Sequence, residues 1–148
     1  MLPKLNKLKL NKKFQPLPVD AGDECFRNGI FEFNITKLLA FIKNNPDKFP
    51  VEEVDGKALT YGDEESLDEA TIKTANLSAP IILAEISPGR FNVVDGNHRV
   101  ERAHREGVEK IPAYRVGAAD HQAFLTSERG YKAYIDYWNS KVDEINKR

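Results

Sequence analysis

Five consecutive residues, Asp95-Gly96-Asn97-His98-Arg99, bring a carboxylate, a glycine, an imidazole and a guanidinium together where the local pattern changes. Val93 and Val94 precede them as a β-branched pair, and Val100, Ala103, His104 and Gly107 follow at helical spacing. The pattern predicts a strand, a glycine turn and a helix that ends at Gly107. A helix N-terminus offers unpaired backbone N–H groups and the positive end of the helix dipole, and both favour an anion. His98 would add a donor or a general acid–base group near neutral pH. Arg99 would add the bidentate fork that suits phosphate or carboxylate, and Arg102 extends the basic surface along the helix. Gly96 supplies backbone freedom and lets a ligand approach closely, and Asn97 fits an N-cap.

Each of these residues also has a plainer use. Asp95 is able to satisfy turn amides as well as to hold a metal or polarise a water. Arg99 has an ion-pair partner in Asp95, and Arg105 has one in Glu101, four residues before it. Outside the turn, Glu53 and Asp55 are candidate carboxylates for a base or a Mg²⁺ ion, ahead of the run Asp63-Glu64-Glu65. His104 is expected on the inner helix face as a hydrogen-bonded packing residue. Cys25 has Asp23 and Glu24 beside it, and acidic neighbours oppose a thiolate. No Walker A sequence, metal-spaced His/Cys set or Gly-x-Ser-x-Gly elbow is present.

The elements that must position the turn are legible on either side. Pro80–Ile86 reads as a buried strand, Ser87–Arg90 as a turn, and Phe91–Val94 as its hairpin partner. Ile111–Val116 reads as a further strand. Upstream, Phe31–Phe33 is a short strand, and Asn34 caps a helix over about 35–45 that stops at Pro46. Residues 50–56 form a strand, and Ser66 with Glu69 makes a capping box for a helix over about 67–75. The tail, about 119–146, is expected to be helical. Its stripe of Tyr131, Tyr134, Ile135, Trp138, Val142 and Ile145 reads as packing rather than as a base-stacking platform.

With 148 residues, 41% hydrophobic and 30% charged, the chain is expected to be one soluble globular domain. No apolar run reaches the roughly 20 residues of a membrane span, and the N-terminus lacks the apolar stretch of a signal peptide. One cysteine excludes an internal disulfide, so a cytoplasmic location is expected. The net charge of −1 argues against a general nucleic-acid coat, but Lys4, Lys7, Lys9, Lys12 and Lys13 all precede the first acid, Asp20. Residues 1–20 thus form an extended basic arm, either a solubilising frayed terminus or a contact for DNA phosphates with steep salt dependence.

The run from Leu67 to Val116 resembles the ParB/sulfiredoxin superfamily. Its shared features are the Pro80-Ile81-Ile82-Leu83 strand, the hairpin, Val94-Asp95-Gly96-Asn97-His98-Arg99 with its Gly-x-x-Arg element, and Ile111-Pro112-Ala113. Val51-Glu52-Glu53-Val54 matches that family's first strand. The resemblance implies an α+β fold with a small mixed sheet flanked by helices, spanning 21–118, with the tail over 119–148 packed outside it. It also implies nucleotide phosphates held by Gly96, Asn97, His98 and Arg99, with ATP or CTP and Mg²⁺ as the expected ligands. Sulfiredoxins carry a catalytic cysteine where this chain has Asn97, which speaks against sulfinic-acid reduction. Partition proteins continue into a helix-turn-helix, where this chain has its aromatic-striped tail.

Two functions are therefore expected as alternatives. One is an NTPase or nuclease with His98, Asp95 and Glu53 as catalytic groups. The other is a non-catalytic binding or regulatory module, of plasmid or phage origin and with a possible protein partner, that keeps the fold.

Overall fold

Alternation along the strand Ile81–Ser87 (β4) fixes the architecture, because successive side chains of a strand face opposite ways. Ile81 and Leu83 point to one side, and Ile82, Ala84 and Ile86 to the other; all five are buried. A strand buried on both faces needs a layer on each. In the computed structural model, which describes residues 4–59 and 67–148, β4 lies inside a four-stranded sheet. The sheet runs Glu52–Asp55 (β3), Lys110–Val116 (β6), β4, then Arg90–Asp95 (β5). The β4–β6 pair is parallel, and β3–β6 and β4–β5 are antiparallel, so the sheet is mixed as expected. Gly89, at φ +75°, turns β4 into β5.

One face of the sheet is covered by Asn97–Glu106 (α3), on which Glu69–Thr74 (α2) packs in turn. Ile81, Leu83 and Val93 meet Val100 and Ala103 there. The other face carries the larger core. Ile82, Ala84, Ile86 and Val94 pack with Ile35, Leu38 and Ile42 of Ile35–Lys43 (α1) and with Tyr131, Tyr134, Ile135, Trp138 and Val142 of Glu128–Asn146 (α5). The tail is thus a layer of the fold and not a covering outside it. It is also not one helix. Ala118–His121 (α4) runs into a 3-10 turn at Gln122–Phe124, and Leu125 then takes extended backbone to bridge Phe33. Ser127 restarts the helix by accepting the Gly130 N–H.

Three further local differences have physical causes. Cys25–Asn28 (β1) pairs with Phe31–Asn34 (β2) in a hairpin that turns on Gly29, at φ +67°. Only its second strand was evident from apolar residues. Asp68 caps α2 by accepting the Thr71 N–H, so the helix starts later than a cap at Ser66 requires; Ser66 and the 63–65 run lie outside the described residues. Gly96, not Asn97, occupies the N-cap of α3, and Asn97 is the first helical residue. Asn34 does cap α1 through the Lys37 N–H.

The arm is tied down rather than frayed. Leu5, Leu8 and Asn11 are hydrogen-bonded to Asn146, Asn139 and Tyr131 of α5. Phe14 stacks on the Tyr131 ring at 4.0 Å, and the Leu17 N–H donates to Leu125.

Candidate functional site

Gly96 determines how α3 leaves the sheet. Its φ of +103° lies in the left-handed region, where a side chain is strained. A Cβ there would also collide with Cγ2 of Ile81 and come within 2.9 Å of Ile81 Cβ. Glycine is required twice over, once for the backbone and once for the close approach of the turn to β4. Among the described residues no side chain caps the helix that follows, whose first internal bond runs from the Val100 N–H to the Gly96 carbonyl.

This N-terminus opens into a pocket of about 280 Å³. Asp95, Gly96, Asn97 and His98 form one wall, and Glu24, Cys25 and Phe26 of the hairpin form the other. The pocket is slightly smaller than the roughly 300–1,000 Å³ typical of small-molecule sites.

The flanking side chains are engaged. Arg99 Nη1 donates to the Ala79 and Pro80 carbonyls at 3.1 and 2.6 Å, and Nη2 reaches Asp95 Oδ2 at 3.3 Å. The guanidinium therefore ties the first turn of α3 to the start of β4, and it does not line the pocket. His98 Nε2 accepts the Asp68 N–H at 3.1 Å, so the ring proton resides on Nδ1 and the imidazole bridges α3 to α2. Hydrogen bonds from the Thr71 hydroxyl and N–H hold the Asp68 carboxyl below the usual carboxylate range.

Farther along α3, Arg102 donates to the Ala75 carbonyl at the end of α2. Arg105 grips both oxygens of Glu69 at 2.7 and 3.0 Å and also bonds Glu101, the expected i,i+4 partner. The basic stripe is thus spent on α2 and on the helix itself. His104 is hydrogen-bonded to the Gly56 carbonyl at 2.8 Å, but its side of the helix is exposed rather than inner.

Glu53 does not join this group. It is exposed on the edge strand β3, three strands from β5, which is roughly 14 Å at the usual strand spacing. Asp55 caps the 3-10 turn at Gly56–Ala58 on that same edge. The structure instead brings Glu24 and Cys25 to the pocket. The Asn28-Gly29 hairpin turn was the available signal for that wall. The Cys25 thiol is pushed up by partial burial and by the Glu32 and Asp23 carboxylates, so it stays protonated at neutral pH. Among the described residues, no three His, Cys, Asp or Glu side chains group as a metal site, and no helix is long and apolar enough to cross a membrane.

The family model for the ParB N-terminal domain covers residues 42–127. The chain belongs to that family, and the matched span holds the whole four-stranded sheet, the Gly96 turn and α3. No curated protein and no solved structure matches.

Proposed function

We propose that this protein binds a nucleotide, with its phosphates seated at the start of α3 against Gly96, Asn97 and His98. One observation carries the reading: a helix N-terminus that no side chain of the described residues caps faces a pocket, in a ParB N-terminal domain. ATP and CTP are the ligands to test first. Mg²⁺ commonly binds through one or two carboxylates and the phosphates themselves. Asp95 and Glu24 are the pocket carboxylates that would hold it. The ion would neutralise phosphate charge there.

The contacts favour binding without turnover over an NTPase or nuclease. Arg99 is held by three protein oxygens, His98 by Asp68, and Glu53 lies on another edge of the sheet. The experiment is a titration of ATP, CTP and GTP with and without Mg²⁺, followed by thermal unfolding and backbone amide shifts. One nucleotide should stabilise the fold, by ~2.7 kcal/mol at a hundredfold excess over Kd. Its shifts should centre on residues 96–98 and weaken in His98→Ala. An unchanged protein across the panel overturns the reading. Steady phosphate release, lost in His98→Ala, would restore the catalytic alternative.

A specific observation supports a second partner, the phosphate backbone of a nucleic acid. Residues 5, 8, 11, 14 and 17 fasten the arm at a period of three, with the Pro18 carbonyl held beyond them by Asn34 and Lys37. All five arm lysines fall at other positions and are exposed. Only Lys7 has a carboxylate partner among the described residues, Asp143 at 3.1 Å. Lys4, Lys9, Lys12 and Lys13 are left for phosphates.

A further inference from the structure

We infer that Asn139 and Asn146 on α5 are positioning residues that hold the arm as a cationic ribbon for a nucleic-acid backbone; this rests on the nucleic-acid reading of the arm. Each carboxamide grips one arm residue by both of its backbone groups. Asn139 Oδ1 accepts the Leu8 N–H at 2.7 Å, and its Nδ2 donates to the Leu8 carbonyl at 3.0 Å. Asn146 does the same to Leu5, at 2.9 and 3.0 Å.

The spacing makes the pair a ruler. Seven residues of helix rise about 10.5 Å, and three residues of extended chain span about 10 Å. Asn139 and Asn146 therefore meet Leu8 and Leu5 in register, with the arm running antiparallel to the helix. Tyr131 continues the series by accepting the Asn11 N–H at 2.8 Å. Asp143 lies between the two asparagines and takes Lys7.

Because the amides read backbone, they fix the arm's path without using any lysine. A free lysine arm loses its conformational freedom when it binds, whereas a held one has lost it on folding. The clamp thus raises affinity without adding charge. Leu8 and Phe14 pack against the core behind the arm, and the exposed Leu5 and Leu10 sit on non-helical chain, which lacks the continuous apolar helix face that an interfacial anchor inserts. That favours nucleic acid over an anionic membrane.

The test uses the full chain and fluorescent single- and double-stranded oligonucleotides, with binding measured by anisotropy over a salt series. Replacing Lys4, Lys9, Lys12 and Lys13 by Gln should weaken binding tenfold or more, and lower the salt slope by about 1 per lysine. Asn139→Ala with Asn146→Ala keeps every charge. It should weaken binding several-fold and open residues 4–17 to trypsin. Leu5→Pro removes the N–H that Asn146 accepts, leaves α5 intact, and should weaken binding in the same direction.

If the lysine variant binds as well as the parent, the nucleic-acid reading falls, and this inference with it. If the lysine variant is weak while the asparagine and proline variants bind like the parent, only the positioning role is overturned. Binding to phosphatidylserine vesicles but to no oligonucleotide would overturn both.

Discussion

The two faces of the sheet are held by different physics. On the α5 side, Phe33, Leu38, Ile42, Tyr131, Tyr134, Ile135 and Trp138 build one contiguous apolar core. On the α3 side the buried cluster is smaller, and three arginines fasten the layer to α2 and β4. Area burial is non-directional and hard to undo piecemeal. Arginine contacts are directional and partly exposed, and exposed ion pairs contribute little to global stability. The pocket lies where the two meet, with Phe26, Ile35 and Val94 from the first side and Asn97 and His98 from the second. The molecule thus joins a stiff half to a half whose helices are able to adjust around a ligand without unfolding the rest.

The contrast is tested most severely by Tyr134→Ala. Tyr134 is fully buried, and its hydroxyl donates to the Glu85 carbonyl. The substitution should cost about 3–5 kcal/mol in denaturant unfolding; a cost below 1 kcal/mol would mean that α5 is not core.

Gly96→Ala comes next, combining a left-handed φ with the collision at Ile81. About 2–4 kcal/mol should be lost, together with the amide pattern of the first turn of α3.

Acid should act on the stiff face. Burial pushes the His121 imidazole below its ordinary value, so the native state resists a proton that the unfolded chain accepts. Stability from this group is complete above the ordinary histidine range. It falls as pH drops through about 6.5, by up to ~1.4 kcal/mol per pH unit. A stability profile that stays flat from pH 7 to 5 in the parent would contradict it.

The smallest effect belongs to the adjustable face. Arg105→Ala should speed hydrogen exchange in α2 while leaving the global unfolding midpoint unchanged. A shift of the midpoint comparable to that of Tyr134→Ala would erase the distinction between the faces.

How legible each half was in the sequence follows the same division. The apolar run of Pro80–Ile86, the cap at Asn34 and the stop at Gly107 are local signals, and the structure keeps them. The Gly96 turn was legible because glycine and a change of period coincide there. What escaped is tertiary. The β1 strand carries only half-exposed residues, and its meaning comes from the pocket opposite. The break at Leu125–Ser127 serves the bridge to Phe33, which no helical pattern in the tail encodes. The arm's anchors are mostly backbone groups meeting α5 side chains, so its leucines and lysines alone do not reveal them. Glu53 was a candidate by residue type alone, and residue type says nothing of adjacency in the sheet.

The far end of β4 has a consequence for how the chain finds its fold. Pairing with β6 ends at Ala84, and a register shift separates Glu85 from Ser87 on the β5 side. The Glu85 carbonyl receives both His121 Nε2, at 2.6 Å, and the Tyr134 hydroxyl, at 2.8 Å. Sliding β4 by one residue would exchange its two faces. It would also carry away the one carbonyl that an imidazole and a phenol share, leaving these buried groups only each other, at 3.3 Å. The carbonyl therefore works as a proofreading mark: compact states with a misaligned central strand are penalised before any ligand or partner is met.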